Sequence, residues 1–394
     1  MNIQYVTAKR EDYDDLMDFG NYVFSHARSP VDFPSLLPKL YNRERFMEGI
    51  HYLAREDGKI RAAVGAYPLT MNILGDTLPG RGIGMVSVHP YARSRGYMKV
   101  LMETALKDMV RDGIVFSCLG GLRQRYEYFG FSPAGTRIVF ECRRSNIRHT
   151  QGKDFSPSLS IRQVKEGEEE LTAIYEFHQS KAARIERRRE NFFDILSSWK
   201  NRVFVLTEGT GFAGYLVYSG ADNTIPEINL IDPRRMAAAA CFFNYLDKHN
   251  DRDQLSVCVQ PWEHSKIESL SAFAEDYRIS TAYSFAVFDW PLFLSALLKL
   301  KAGSGQTLPD GEACFRVAGG NESADSCFRI AVRRGEPRLD TGAEAGDAIV
   351  LDPLQAIRFF FSPLSPWDSP VLRKNPFLRG ILPLPLFFED PDGV

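Results

Sequence analysis

The chain has 394 residues, of which 44% are hydrophobic and 25% are charged, and its formal net charge is −2 at pH 7. This length exceeds one ordinary hydrophobic core and predicts two or three domains of a globular protein. The balanced charge argues against a nucleic-acid-binding protein, because such proteins usually need a basic face.

The cysteines and the N-terminus indicate a cellular compartment. No two cysteines have the C-x-x-C spacing of a zinc or redox motif, and single cysteines among apolar neighbours are typical of a reducing cytoplasm. The first residues, MNIQYVTAKREDYDD, lack the apolar core of a signal peptide. The most apolar stretches, at 236–245 and 290–300, are too short to span a bilayer. We therefore expect a cytoplasmic protein that binds no membrane and no metal.

Strand and helix signals alternate over the first 150 residues. The predicted elements are a strand at 3–6, a helix at 12–23, a hairpin at 51–67, a strand at 77–88, a helix at 97–112, a strand at 114–119 and a closing hairpin with 136–142. The hairpin is the strongest of these local signals, because Asp57-Gly58 separates its two apolar runs.

The middle of the chain resembles a degenerate copy of the first part. After a polar linker at 146–160, residues 202–218 (RVFVLTEGTGFAGYLVY) align with the hairpin at 51–67. A strand at 227–231, a helix at 235–247, a strand at 254–259 and a closing strand at 283–289 are predicted to follow. The run Arg184 to Arg189 is typical of a solvated helix face.

The pattern of predicted elements changes again at Trp290. A helix at 290–300, strands at 313–317, 327–333 and 349–351, and a helix capped by Asp352 are predicted. We therefore expect three domains, at residues 1–150, 151–289 and 290–394.

The segment GMVSVHPYARSRGYM at 84–98 predicts a phosphate site. A buried strand enters a tight loop and then a helix, whose first N–H groups are unpaired and carry partial positive charge. Gly96 lets the backbone approach the phosphates, and Arg93 and Arg95 add charged donors. The glycine row at 80–84 does not make a dinucleotide site, because it precedes a strand. A basic surface loop is the competing interpretation.

This segment resembles the acetyl-CoA signature of the GCN5-related N-acetyltransferases (GNAT), through V-x-V-x-P followed by Arg93-x-x-Gly96. Met98 stands where that signature has Gly or Ala. A large residue there is similar to the enhanced-intracellular-survival (Eis) type, and the resemblance to that subgroup covers the whole chain. It implies two tandem GNAT-like domains with mixed sheets, of the α+β and α/β classes, and a C-terminal α+β domain like sterol carrier protein 2.

The resemblance implies acetyl-CoA as the co-substrate. The strand before the loop would splay from its neighbour and bind the pantetheine arm through its backbone at Val86, Ser87 and Val88. Simple strand packing is the alternative role of the two valines. The pyrophosphate would lie on Arg93, Ser94, Arg95, Gly96, Tyr97 and Met98.

The catalytic residues are also assigned from the resemblance. Tyr126 begins a match to the family's Y-x-x-x-G-F, and the matching tyrosine is the general acid toward the leaving thiolate. A phenol with an ordinary pKa of about 10 is protonated at neutral pH and suits this role. Tyr128 is the rival, and packing is the alternative role of both tyrosines.

The base and the acceptor side are assigned in the same way. In the Eis type, the carboxylate of the last residue reaches the first domain and acts as the base, which implies Val394 here. His89 and Glu127 are alternative bases. A frayed C-terminus without a catalytic role is the competing interpretation of Val394. The loop at 29–40 would line the acceptor side. Asp32 and Phe33 could then offer a carboxylate and an aromatic wall to a cationic amine, although Asp32 is equally typical of a helix cap.

We therefore expect an N-acetyltransferase that acts on a primary amine of a small molecule or peptide. The second copy lacks the loop glycine at Asp232-Pro-Arg-Arg-Met-Ala and is predicted to bind no coenzyme A. The alternatives are a non-catalytic acyl-CoA sensor and a lipid-binding protein that uses 290–394. The resemblance also implies a homo-oligomer, a trimer or a hexamer.

Overall fold

The computed structural model describes residues 2–27, 29–151, 159–233, 235, 254–320, 323–342 and 346–394. The chain divides into two compact units. The first contains residues 1–134, 283–384, 393 and 394, and the second contains residues 135–282 and 385–392. Within the described ranges, no helix has both the length and the apolar character needed to cross a membrane.

The first unit begins with a mixed sheet and its helices. The strands are β1 (Ile3–Thr7), β2 (His51–Glu56), β3 (Lys59–Ile73), β4 (Asp76–Val88), β5 (Phe116–Leu119) and β6 (Ser132–Ala134). The helices are α1 (Tyr13–Ala27), α2 (Phe33–Leu36), α3 (Pro38–Tyr41), α4 (Tyr97–Arg111) and α5 (Arg123–Tyr126). The predicted hairpin is confirmed, because β2 and β3 pair antiparallel around Asp57 and Gly58, whose φ angles of 50° and 82° are those of a tight hairpin turn.

Two faces of this sheet carry separate apolar clusters. Alternate residues of β3 point to opposite sides, so Ala62 and Val64 pack with α4 and Tyr126. Ala63 and Tyr67 pack instead with α1, α2 and Val394. The sheet therefore has an α4 face and an α1 face.

Two strands lie in other sheets than the sequence predicts. Residues 283–287, predicted to close the second domain, form β15 (Tyr283–Val287) and pair with β5 and β6 in the first sheet, whose order is β1-β2-β3-β4-β5-β15-β6. β7 (Arg137–Arg143), predicted to close the first domain, pairs with β13 (Gln254–Val259) and β14 (Asp276–Ser280) in the second sheet. Both predictions were wrong because the alternation of apolar and polar residues indicates which face of a strand is buried, but not which strand it pairs with.

The rest of the first unit is a second, smaller sheet with helices. Its strands β16 (Gly311–Val317), β17 (Ser326–Arg333), β18 (Glu336–Thr341) and β19 (Ile349–Leu351) have the order β18-β17-β16-β19. The helices are Trp290–Gly303, Pro353–Phe361, Ser365–Asp368, Pro370–Lys374 and Pro376–Ile381. The predicted cap is confirmed, since the Asp352 carboxylate accepts a hydrogen bond of 2.8 Å from the Gln355 N–H.

The second unit has a sheet of order β14-β7-β13-β12-β11-β10-β8. The other strands of this sheet are β8 (Ser160–Val164), β10 (Arg202–Glu208), β11 (Gly211–Ser219) and β12 (Thr224–Leu230), and β9 (Ala183–Ile185) is a further strand of the unit outside this order. The helices of the unit are α6 (Arg144–Gln151), α7 (Glu170–Gln179), α8 (Phe192–Ser197) and His264–Ser271. The repeated hairpin is confirmed by the pairing of β10 with β11. All three sheets contain a parallel pair, so the mixed sheets are confirmed.

The arginine run of the second unit is not a solvated helix face. Residues 183–185 form a strand, and Arg187 is among the largest fully buried side chains of the chain. Its guanidinium donates to both oxygens of Asp392, at 2.8 Å each, and to Glu227 at 2.8 and 3.1 Å. That prediction was wrong because two buried carboxylates, both of them distant in sequence, pair with the guanidinium.

Candidate active site

Strand β4 is paired with β5 along only part of its length. It pairs in parallel with β5 over residues 80–83, whereas its pairing with β3 continues to Val88. The register with β3 shifts between Ala63 and Gly65, and Met85 beside this shift has a left-handed φ of 49°. The edge of residues 84–88 that faces away from β3 is therefore not paired with β5. Val86, Ser87 and Val88 lie on this open edge.

The loop after β4 turns at two left-handed residues, Ser94 with φ 64° and Gly96 with φ 81°. Gly96 is the N-cap of α4, and a Cβ at this position would have no atom within 4 Å. Glycine is thus favoured here by the backbone conformation rather than by crowding. The turn is exposed, and the first N–H groups of α4 lack intrahelical partners, which suits a pyrophosphate.

The side chains of this loop have different contacts. Arg95 donates through Nη1 to both carboxylate oxygens of Glu56, at 2.9 Å each, and the Tyr97 hydroxyl donates to the same carboxylate at 3.3 Å. Tyr97 is buried, and Met98 packs on the α4-face cluster. Arg93 is exposed. The charge of Arg95 is thus partly balanced by Glu56, while Arg93 faces solvent.

Tyr126 lies in the α4-face cluster and is 6% exposed. The half-buried side chains of Val86 and Val88 pack on the same cluster. Burial raises the pKa of the Tyr126 phenol, and Arg125 offsets part of this rise. The phenol therefore keeps its proton at neutral pH, as a general acid must.

Tyr128 has a different environment from Tyr126. It is 64% exposed, and the Lys99 ammonium lies 5.2 Å from its ring centroid. Its ring also contacts Phe129 edge-on. Of the two tyrosines in the motif, it is Tyr126 that shares a cluster with the valines of the open edge.

Val394 lies on the α1 face of the same strand. Cβ atoms added at Gly82 and Gly84 would lie 2.8 Å from Val394 Cγ2 and 3.6 Å from Val394 Cβ, respectively. The Lys39 ammonium donates to the carbonyl oxygen of Gly393. Tyr126 and Val394 thus flank β4 from its two faces.

The two alternative bases are engaged in other contacts. The Nδ1 atom of His89 accepts a hydrogen bond of 3.3 Å from the Tyr91 N–H, and burial, together with the charge of Arg61, lowers the His89 pKa. Glu127 accepts hydrogen bonds from Arg123, at 2.7 Å, and from Arg358. Burial acts to raise the pKa of this carboxyl, but the two arginines outweigh it and lower the pKa. A carboxylate with a lowered pKa is a weaker base.

The two residues assigned to the acceptor differ in exposure. Asp32 is exposed at the N-cap of α2, where its side chain makes no capping bond and accepts from the Ser35 hydroxyl instead. Phe33 is buried, with its ring centroid 5.0 Å from that of Phe24 and 5.1 Å from that of Tyr41. Phe33 therefore belongs to the core, and its role toward an acceptor stays a prediction.

Sequence reasoning missed a buried polar group on the α1 face. The Tyr67 hydroxyl lies 2.6 Å from the Tyr41 hydroxyl and 3.1 Å from His51 Nε2. Within the described part of the chain, His51 Nδ1 has no hydrogen-bond partner, and burial lowers the His51 pKa to about 4. Alternation along β2 and β3 places His51 and Tyr67 on an inner face, but it cannot show that they meet each other and Tyr41 of α3.

The corresponding loop of the second unit is only partly described. Arg235 forms an ion pair of 2.7 Å with Glu208, and the predicted helix at 235–247 otherwise lies outside the described residues. Residues 152–158 of the predicted linker also lie outside them, whereas residues 146–151, predicted as linker, belong to α6, so that part of the prediction was wrong. That this copy binds no coenzyme A stays a prediction. Across the described ranges, no three His, Cys, Asp or Glu side chains form a group that could hold a metal ion.

Solved structures share the fold along the whole chain. A conserved protein of Enterococcus faecalis V583, termed a probable N-acyltransferase, is 15% identical with a TM-score of 0.70, covering 99% of this chain and 100% of that one. A GCN5-related N-acetyltransferase from Kribbella flavida is 16% identical with a TM-score of 0.65, covering 96% and 95%. Eis1 from Mycobacterium abscessus is 14% identical with a TM-score of 0.60, covering 100% and 98%. These identities show the fold alone.

The sequence itself matches a family over its first third. Residues 4–134 match the family model described as an acetyltransferase (GNAT) domain. No curated protein sequence matches the chain significantly. The matched residues include the open edge of β4, the loop at Gly96 and Tyr126. The chain is therefore an enzyme that carries a GNAT acetyltransferase domain at residues 4–134.

Proposed function

We propose that this enzyme transfers the acetyl group of acetyl-CoA to a primary amine of a small molecule or peptide by direct attack. The observation that carries the proposal is the position of Tyr126 and Val394 on opposite faces of β4, next to the edge that is not paired with β5. A phenol with a raised pKa on one face supplies a proton donor. The carboxylate of Val394 on the other face supplies a proton acceptor.

Two features support coenzyme A as the donor. The open edge offers main-chain groups of Val86, Ser87 and Val88 to the amides of the pantetheine arm, in the manner of an added strand. The exposed turn at 93–98 offers the N–H groups of the α4 N-terminus to the pyrophosphate, with Arg93 as a solvent-facing cation.

The reaction balances with these two groups. The Val394 carboxylate takes a proton from the ammonium form of the acceptor, and the freed lone pair attacks the thioester carbonyl carbon. The carbon–sulfur bond then breaks, and the departing thiolate takes the proton of the Tyr126 hydroxyl. The attached nitrogen loses its second proton to solvent, which leaves the neutral amide, and exchange with water restores the protonated phenol and the Val394 carboxylate. Acid catalysis of this kind is worth about 10²- to 10⁴-fold.

The test of the acid is Tyr126→Phe, with Tyr128→Phe as the matched control. Free-thiol release from acetyl-CoA would be measured with a polyamine, an aminoglycoside and a lysine peptide as acceptors. Because only the hydroxyl is lost, we expect kcat to fall by about 10²- to 10⁴-fold in Tyr126→Phe, with acetyl-CoA binding retained. Tyr128→Phe should behave like the wild type, and equal rates for all three proteins would remove Tyr126 from the mechanism.

The test of the base is removal of Val394, which moves the carboxylate back by one residue. We expect kcat/KM for the amine to fall and the acidic limb of its pH profile to change. An unchanged kcat would remove Val394 from the mechanism. Acetyl-CoA binding without thiol release on any acceptor would favour an acyl-CoA sensor instead.

The remaining expectations belong to the same proposal. The proposal includes three domains, at residues 1–150, 151–289 and 290–394, of which the last resembles sterol carrier protein 2 and carries Val394. Asp32, exposed near α1, is the proposed contact for a cationic acceptor. The proposed homo-oligomer would be measured by light scattering, where a monomer mass would contradict it, and a co-purifying lipid in mass spectrometry would favour the lipid-binding alternative.

A further inference from the structure

Three glycines of β4 lie on its α1 face, because alternate residues of a strand share a face. They are Gly80, Gly82 and Gly84, and none of them has a left-handed φ. Their backbone conformation therefore does not require glycine. Glycine is required by crowding, because a Cβ at Gly82 would lie 2.8 and 2.9 Å from the two terminal methyl carbons of Val394.

The neighbouring glycine serves a second side chain as well. A Cβ at Gly84 would lie 3.0 Å from Tyr67 Cε2 and 3.6 Å from Val394 Cβ, so both side chains meet over this glycine. The Tyr67 ring also covers Gly65, where a Cβ would lie 2.6 Å from its hydroxyl oxygen. Tyr67 thus forms a wall beside Val394.

This wall is rigid. The Tyr67 hydroxyl is held between the Tyr41 hydroxyl and His51 Nε2, at 2.6 and 3.1 Å, and all three side chains are buried. On the main-chain side, Lys39 donates to the carbonyl oxygen of Gly393. The side chain of Val394 and the peptide group before it are therefore both held in place.

We propose that Gly82, Gly84, Tyr67 and Lys39 form a seat that positions Val394 for catalysis. The inference rests on the proposed function, in which the Val394 carboxylate is the base. The four residues act through Val394 and are positioning residues. With its side chain packed and the preceding carbonyl held, the carboxylate has fewer orientations available, and a displacement of about 1 Å can cost a reaction roughly 100-fold.

A double-mutant cycle tests the seat through activity. Gly82→Ala should lower kcat/KM for the amine by roughly 10- to 100-fold and leave KM for acetyl-CoA near the wild-type value. Val394→Ala keeps the carboxylate and removes the methyl groups that the new Cβ meets. Combined with Gly82→Ala, it should therefore recover most of the loss, whereas additive losses would overturn the proposal.

Gly80→Ala is the matched control on the same strand. Its Cβ would lie 2.7 Å from Leu69 and from Phe116, so it introduces a similar strain away from Val394. We expect Val394→Ala to restore nothing in this variant. Equal recovery in the Gly80→Ala and Gly82→Ala backgrounds would show a general relief of strain and overturn the proposal.

A second experiment tests the seat without measuring catalysis. The full-length wild type, Gly82→Ala and Lys39→Met would be treated with a carboxypeptidase, and the release of Val394 followed by mass spectrometry. A seated residue is protected, so both variants should lose Val394 faster than the wild type; equal rates in all three overturn the seat. If the variants release Val394 faster but removal of Val394 leaves kcat unchanged, the seat is supported and the role of Val394 as the base is rejected. Failure of the seat and failure of the base are therefore distinguishable.

Discussion

The ring of Tyr126 lies directly on the backbone of Gly121, where a Cβ would be 2.4 Å from Tyr126 Cε2 and 3.1 Å from Cδ2. These two residues cannot both keep their positions if residue 121 carries a side chain. Gly121 also has a φ of 156°, which a residue with a Cβ rarely adopts. Gly121→Ala should therefore shift the phenol, the backbone beneath it or both, and we expect kcat to fall roughly 10- to 100-fold with a smaller change in KM for acetyl-CoA.

The adjacent glycine offers the control for this prediction. A Cβ at Gly120 would meet no atom within 4 Å. Gly120→Ala should therefore keep wild-type kcat in the same thiol-release assay. Equal losses in the two variants would show that the loop, rather than the position of Tyr126, limits the rate.

A second prediction concerns the residue after Tyr126. Glu127 accepts a hydrogen bond from Arg358, whose Nε also donates to the Ser132 hydroxyl at 3.0 Å. Arg358 lies in the helix Pro353–Phe361, so this helix fixes the turn that carries Tyr126. We expect Arg358→Gln to lower kcat several-fold. Because Arg358 is 40% exposed, the free energy of unfolding should change by no more than about 1 kcal/mol.

The ion pair of Arg329 with Asp340 is a matched comparison. Its two atoms lie 2.8 Å apart, both side chains are similarly exposed, and it joins β17 to β18. Arg329→Gln should lose as little stability as Arg358→Gln and keep its kcat. The same kcat in both variants would contradict a role of Arg358 in positioning Tyr126.

Local signals made the first hairpin and the tight loop before α4 predictable. Asp57 and Gly58 adopt the positive φ angles of a tight turn, and Gly96 caps α4 with a positive φ as well. Each depends on residues that are adjacent in sequence, so composition and spacing were sufficient. The environment of Tyr126 needed the structure, because its burial is produced by α4 and the valines of β4.

Relationships between distant residues were not predictable. The sequence shows why the glycine row at 80–84 cannot be a dinucleotide site, but it does not show that Val394 fills the space which those glycines leave. Likewise, β7 and β15 have ordinary strand patterns, and their sheets are decided by tertiary pairing. The burial of Arg187 depends on Glu227 and Asp392, neither of which is near it in sequence.

A third prediction is a pH dependence of stability that arises from His51. Burial lowers its pKa from 6.5 to about 4 in the folded protein. As the pH falls, the unfolded chain binds this proton first, so the contribution of neutral His51 is present above pH 6.5 and is lost between 6.5 and about 4. A shift of this size corresponds to about 3 kcal/mol.

His51→Phe removes the titration and keeps a ring that can stack on Phe46, as His51 does at 5.3 Å. Urea unfolding of both proteins at about pH 7 and about pH 4 would be compared. The wild type should lose more stability on acidification than the variant, by an amount on the order of 2 to 3 kcal/mol. Parallel losses would show that His51 does not titrate in this range.

The last prediction concerns the ion cluster of the second unit. Arg187 is fully buried between Glu227 and Asp392. Burial acts to raise the pKa of the Glu227 carboxyl, but Arg187 and Lys181 outweigh it and hold the pKa at about 2. Because the folded-state pKa is depressed, this stabilisation is present above pH 4.5 and is lost as the pH falls toward about 2.

Arg187→Met leaves two buried carboxylates without their cation and should cost about 3 to 5 kcal/mol in the free energy of unfolding at neutral pH. Arg188→Met is the control, because that neighbouring side chain is 79% exposed and its loss should stay within about 0.5 kcal/mol. Without Arg187 the pKa of Glu227 should rise, and protonation of this carboxylate on acidification then relieves part of the penalty. The difference in the free energy of unfolding between Arg187→Met and Arg188→Met should therefore narrow as the pH is lowered. A difference that is absent at neutral pH, or that stays constant on acidification, would mean that Arg187 does not compensate these carboxylates and that its burial reflects packing alone.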